Sequence, residues 1–234
     1  ANKRAFTLIE LLTVIAVIGV LAAILIPTVG RARQSAYQAE AIANLREIHS
    51  AISMYVVNNN NQYPRSRTLK PEGANGSDWD YDGGFWFNTI SPYLEEGRRF
   101  NRQLVRTKGP WPQSIPFASP FITDKELHGW GGAGIDIGYN GHLFPRKVAG
   151  SARVRAVNIE NPSRALLAVD AMNPNNGVGE WSVGSAGAFQ PGRIAFRNNG
   201  QANVLFVDGS VTQITREDLD DPVFVKLLSG VNRR

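Results

Sequence analysis

The chain has no cysteine among its 234 residues. That excludes disulfides, thiolate zinc sites and thiol catalysis. Its folded part must be held by its core alone, or by a metal without thiol ligands. Histidine is almost as scarce: His49, His128 and His142 are the only three, and none stands in HExxH or another paired-ligand spacing. There is no Gly-x-Ser-x-Gly elbow, no glycine-rich phosphate loop and no nucleic-acid motif. No catalytic constellation emerges, so the sequence reads as a non-enzyme with no small-molecule substrate.

What is present is unevenly distributed. One very apolar segment is joined to a polar remainder, and 23 glycines with 13 prolines point to a loop-rich, β-containing body. The net charge is +5, and part of it sits at Lys3, Arg4, Arg31 and Arg33, flanking the apolar stretch. Further cations crowd at Arg98, Arg99, Arg102, Arg106 and Lys108. The ordinary reading of that run is a solvated face. The sharper one is a patch for an anionic polymer such as DNA.

From Leu11 to Ile26 the chain runs 16 residues without a charge, and 21 if Phe6 to Glu10 are included. At 1.5 Å per residue the longer span reaches about 31 Å, the thickness of a bilayer core. No small-x-small cleavage site follows it, so the segment is expected to stay attached. Lys3 and Arg4 precede it, which by the positive-inside rule places the N-terminus in the cytoplasm and the body outside. Beyond Pro27 the pattern stays helical. Ala36, Ala39, Ile42, Leu45, Ile48 or His49, Ile52 and Tyr55 form one stripe, which stops at the breaker run Asn58 to Asn61. Residues 6–57 are thus predicted to be one helix, membrane-spanning over 6–26 and amphipathic over 27–57. The second half must pack on something, most simply a sheet.

The segment Arg4-Ala5-Phe6-Thr7-Leu8-Ile9-Glu10-Leu11-Leu12 resembles the processing and methylation motif of type IV pilins and of the pseudopilins of type II secretion. The resemblance implies that a prepilin peptidase cuts between Ala5 and Phe6, leaving residues 1–5 as a shortened leader. It also implies that the new amine is methylated and that Glu10 aids assembly. Ala5 stands where the family usually has glycine, and Pro27 falls where it often has a kink. The physics is consistent with this role. Cleavage would leave a positive amine in apolar surroundings, and Glu10 of an adjacent subunit would neutralise it. Such a pair would set the axial stagger between subunits more than it would add affinity. A plain signal anchor with Glu10 near the headgroups is the alternative.

Residues 58–234 read as an exported, β-rich globular domain. Its first part is loop-rich, with Pro110-Trp111-Pro112 and Gly129-Trp130-Gly131-Gly132. Strands are predicted over 135–139, 164–170 and 193–197. Asn203–Val207 and Ser210–Thr215 are predicted to form a hairpin closed by Asp208-Gly209 as a two-residue type I′ turn. Asp221-Pro222 should open a short helix over Val223–Leu228, ended near Gly230. Residues 197–209 resemble the C-terminal block of a set of pilin-like proteins, Arg-His-x-Gly-x-Ala-Asn-Val-Leu-Phe-x-Asp-Gly, except that Asn198 takes the histidine position. Ile137-Gly138-Tyr139-Asn140-Gly141 is similar to another segment of those proteins. The resemblance covers residues 1–63 and 135–215 and implies a pilin-like α+β fold, with a long N-terminal helix packed on an antiparallel sheet.

Asp78, Asp80 and Asp82, followed by Gly83, have the spacing of the first half of an EF-hand loop, a candidate calcium site. The closing position is Thr89 rather than a glutamate. Trp79, Tyr81, Phe85, Trp86 and Phe87 cluster nearby, either as a satellite core or as an exposed surface for glycans or a partner. His49 is read as a partly buried helix residue, and His142 as lying in a turn near Asn140. The functional expectation is a filament subunit, major or minor, stored in the inner membrane and packed against other subunits. The alternative is a membrane-anchored binding module for glycan or DNA, and the third choice a tethered hydrolase.

Overall fold

The computed structural model describes residues 8–67, 84–94, 116–122, 135–144, 154–180, 182–185 and 188–230. It divides into two compact units, Ala1–Ala39 and Glu40–Arg234. Helix α1 covers Leu8–Asn58, with Pro27 inside it. In the first unit its leucine, isoleucine and valine side chains are exposed on every side, from Leu8 to Val29.

In the second unit α1 turns amphipathic. Ala41, Asn44, Leu45, Ile48, Ala51, Ile52, Tyr55 and Val56 are buried, at steps of three and four. This face differs from the predicted stripe at its start, since Ala36 and Ala39 are exposed and Ile42 is half-buried. Steps of three drift around a helix of 3.6 residues per turn, and nine residues place Ala39 about 180° from Ile48. The asparagine run ends the helix. Asn60 and Asn61 adopt positive φ (54° and 57°), the Asn61 amide returns to the Val56 carbonyl at 3.0 Å, and Nδ2 of Asn59 donates to the Tyr55 carbonyl at 2.8 Å.

The rest of this unit contains a short helix α2 (Trp86–Ile90), then β1 (Ile137–Tyr139) and β2 (Leu166–Asp170). A two-stranded ribbon of β3 (Gly184–Ser185) and β4 (Ala188–Phe189) follows, then β5 (Gln201–Phe206), β6 (Val211–Thr215) and helix α3 (Pro222–Ser229). The main sheet is antiparallel throughout, in the order β1-β2-β5-β6. Alternation along β5 separates two cores. Leu205 joins α1, α2 and β1 on one face, whereas Ala202, Val204 and Phe206 join Ile214 and Leu228 on the other. A bulge lies between Leu166 and Ala168, so Leu167 and Ala168, though consecutive, both belong to the α1 side.

The α1-side core is aromatic. The Trp86 ring stacks on Tyr139 at 5.1 Å between centroids, Tyr139 on Phe144 at 4.9 Å, and Tyr63 lies against Phe144 at 4.8 Å. Trp86, Phe85 and Phe87 are all buried. They therefore belong to the main core, not to a satellite cluster or a recognition surface. The α3 cap matches expectation: the Asp221 carboxylate accepts from the Val223 amide at 2.8 Å, Pro222 is the first residue, and Gly230 follows with φ 71°.

Two local predictions need correction. Residues 193–197 form no strand. Pro191–Arg193 make a 3₁₀ turn, and only Ile194 bridges to Ala171 before the chain bends away. The Asp208-Gly209 connection is not a two-residue type I′ turn, which needs positive φ at both positions. Gly209 has φ 89°, but Asp208 is not among the positive-φ residues. Phe206 N–H bonds to Ser210 O at 2.9 Å, giving a three-residue loop, Val207-Asp208-Gly209, with glycine in the left-handed position. The type I′ turn is at Asn199-Gly200, with φ 49° and 81° and reciprocal amide bonds between Asn198 and Gln201.

Candidate functional site

The N-terminal half of α1 is the surface that the body does not explain. It is long and apolar enough to cross a membrane. A helix apolar on every side needs lipid or other helices around it. Its polar atoms are mostly satisfied within the helix. The Thr13 hydroxyl donates to the Glu10 carbonyl at 2.9 Å, and the Thr28 hydroxyl to the Leu25 carbonyl at 2.8 Å. Pro27 lacks an N–H, so the carbonyl one turn before it, at Ala23, has no i+4 amide to accept from. Glu10 sits exposed near the start of this helix, the one acidic residue of its first turn. Ala5 and Phe6 lie outside the described residues, as do Asp78, Asp80 and Asp82, the cations from Arg98 to Lys108, Trp79, Tyr81 and His128. Thr89, the closing position of the calcium-loop spacing, is in α2, where its hydroxyl donates to the Phe85 carbonyl at 3.0 Å. Among the described residues no group of three or more His, Asp or Glu could hold a metal ion.

The C-terminal motif residues are brought into the fold but not to each other. Asn198 and Asp208 flank opposite ends of β5, roughly 20 Å apart at 3.3 Å per residue. They form no joint site. Asn198 is buried and sets up the Asn199-Gly200 turn, while Asp208 accepts from the amide (2.9 Å) and hydroxyl (2.6 Å) of Ser210. The imidazole near Asp208-Gly209 comes instead from α1: Nε2 of His49 lies 3.3 Å from the Val207 carbonyl oxygen. Asn140, in the other motif segment, is fully buried and structural. Its Nδ2 donates to the carbonyls of Leu166 (2.9 Å), Leu228 and Ser229 (both 3.3 Å), and its Oδ1 accepts from the amides of His142 and Leu143. His142 thus lies in a turn at Asn140, as expected.

A buried charged cluster is not legible in the sequence. Asp170, at the end of β2, pairs with Arg197 and accepts from the Ser119 hydroxyl, while the Ser119 amide donates to Asp136 Oδ2 at 3.0 Å. Burial raises the Asp170 carboxyl from 3.8 to about 6. Arg197 and the Ser119 hydrogen bond hold it down, and Asp136 pushes it up further. The cluster ties residues 117–119, the entry to β1, the end of β2 and the residue before the type I′ turn into one clamp. The clue was an aspartate closing the apolar run Arg164–Asp170. Its partners are distant in sequence, so nothing in the linear pattern joined them.

Residues 1–26 match the prokaryotic N-terminal methylation motif. The chain is 31% identical over 84 residues to the type II secretion system core protein G of Pectobacterium carotovorum subsp. carotovorum, covering 32% of this chain and 53% of that protein. It is 46% identical over 59 residues to the type IV wide pilus major component of Thermus thermophilus, covering 25% and 45% respectively. With the core protein G of Escherichia coli it shares 31% over 84 residues, covering 32% and 57%. The chain spans about half the length of these curated relatives. No solved structure gives a significant match. The α+β arrangement of a long N-terminal helix and a four-stranded antiparallel sheet agrees with the pilin-like reading of the sequence.

Proposed function

We propose that this chain is a structural subunit of a type IV pilus-like or type II secretion pseudopilus filament. The observation that carries the reading is a methylation motif over residues 1–26 leading into a helix whose apolar first half is exposed on every side. Residues 6–26 hold the subunit in the inner membrane, N-terminus inward, with the domain from residue 58 outside. A prepilin peptidase cuts between Ala5 and Phe6 and releases the segment before Phe6. The Phe6 amine of one subunit then pairs with Glu10 of its neighbour, and Pro27 provides a bend that eases helix packing. Burial of the exposed leucines and isoleucines against other subunits drives assembly, at about 25 cal/mol per Å² of apolar surface covered. The function is mechanical, not enzymatic.

The test is Glu10→Ala in cells that assemble the filament. Membrane insertion and cleavage should persist while filaments disappear. Normal filaments from the variant would sink the assembly role. A glycan-binding alternative loses Phe85, Trp86 and Phe87 from its surface, because those rings are core.

A further inference from the structure

We infer that Arg31 and Arg33 form a collar that binds the phosphates of anionic phospholipids in the outer leaflet and fixes the depth of α1. The inference rests on the reading that residues 6–26 span the membrane. The two arginines lie five and seven residues past Ile26, the last of the large apolar run. In a helix this is about 7–10 Å above the hydrocarbon edge, at the outer limit of a headgroup layer of about 5–7 Å and just beyond it, from where a long arginine side chain reaches back to the phosphates. Both are exposed, and neither makes an ion pair with a described residue.

Their angular placement selects the partner. Two residues apart on a helix is about 200°, so the guanidinium groups leave from nearly opposite sides. A protein docking on one face would engage one of them. A layer of headgroups surrounding an upright helix engages both, and guanidinium suits phosphate through two parallel hydrogen bonds. Arg31 and Arg33 lie on the far side of the span from Lys3 and Arg4, so the inward-facing cations do not account for them. Basic residues beside a span are attracted to anionic lipid.

The chain has no cysteine, so one introduced thiol gives a single depth probe. Gly30 has open space where a Cβ would go, which makes Gly30→Cys the position of choice. The full chain would be reconstituted in phosphatidylglycerol or phosphatidylcholine vesicles, and the label's depth read with quenchers placed at the headgroup and along the acyl chain. In phosphatidylglycerol the label should sit at headgroup level. Arg31→Gln with Arg33→Gln should move it inward by about 3–5 Å, two or three residues of helical rise. The Arg31→Lys, Arg33→Lys pair should keep the original depth, and phosphatidylcholine should let the unaltered arginines sink part of the way. Equal depth for the arginine and glutamine forms overturns the collar. Equal depth in the two lipids overturns the anionic partner, and a lysine pair that behaves like glutamine overturns the role of charge. A label at Ile18→Cys that acyl-chain quenchers cannot reach overturns the membrane reading itself.

Discussion

Gly209 lies against the imidazole of His49: a Cβ at position 209 would stand 2.6 Å from Cε1 and 2.8 Å from Nδ1 of that ring. The hairpin loop is therefore seated on α1 by the absence of a side chain. Gly209→Ala meets two penalties, a left-handed backbone of about 1–2 kcal/mol and overpacking of about 1–3 kcal/mol. Denaturant unfolding of the full chain in detergent should show a loss of roughly 3 kcal/mol. Adding His49→Ala should return the overpacking share. A double variant with fully additive losses would show that the ring is not the obstacle.

The clamp at Asp170 predicts a pH dependence with a definite sign. The folded carboxyl keeps its proton to about pH 6, against 3.8 for the unfolded chain. A raised acid contributes stability that is fully present below about pH 4 and lost as the pH rises through about 6, roughly 3 kcal/mol over the range. Asp170→Asn should lose that slope, so its stability relative to the unaltered chain should improve between pH 4 and pH 7. Parallel curves for the two proteins would contradict the shift.

Arg197→Leu tests the other half of the pair. Without the cation, Asp170 rises further and stays buried without its main partner when ionised. The loss should be about 3–5 kcal/mol at pH 7.5 and clearly smaller at pH 5, where Asp170 is protonated. Unfolding midpoints at the two pH values decide this.

Trp86 stacks on Tyr139 and is wholly buried. Trp86→Ala should cost about 3–5 kcal/mol through transfer and cavity effects. The Tyr139 hydroxyl donates to the Pro64 carbonyl at 3.1 Å, and burial holds its pKa well above the usual value. Tyr139→Phe should therefore cost only about 1 kcal/mol, with the near-ultraviolet dichroism of the ring stack kept.

Asn140→Asp is nearly isosteric but reverses the chemistry. The amide donates to three carbonyl oxygens, and a carboxylate there would face all three as a fourth acceptor. A loss of about 3 kcal/mol or more at neutral pH, reduced in acid, is expected from thermal unfolding.

The sequence revealed those elements whose cause is local. The long helix, its end at the asparagines, the β5–β6 pairing and the Asp221-Pro222 cap all rest on period, breakers and caps within a few residues. Turn chemistry was harder, because dipeptides are ambiguous. Asp208-Gly209 and Asn199-Gly200 both fit a type I′ turn, and only the strand register shows that the first carries an extra residue. The apparent strand over residues 193–197 is apolar enough, but Pro191 starts a 3₁₀ turn ahead of it and Asn198 leads into the tight hairpin. Of the candidate site, the methylation motif and Glu10 stood out because a charge in an apolar run breaks a local rule. The Asp170 clamp did not, because Ser119, Asp136, Asp170 and Arg197 meet only after three loops have closed. The same holds for His49, whose contact partner lies 158 residues away.

The bulge in β2 makes strand alignment all-or-nothing. Leu166 pairs with Phe206 on one side of the extra residue, and Ala168 with Leu205 on the other. A slip of one position would send leucines from both cores to the wrong face at once, because side-chain direction alternates along the strand on either side of the bulge. Partial mismatches therefore gain little and come apart again. A chain with no thiols has no disulfide exchange to rescue a trapped pairing, so this built-in intolerance acts as its proofreading.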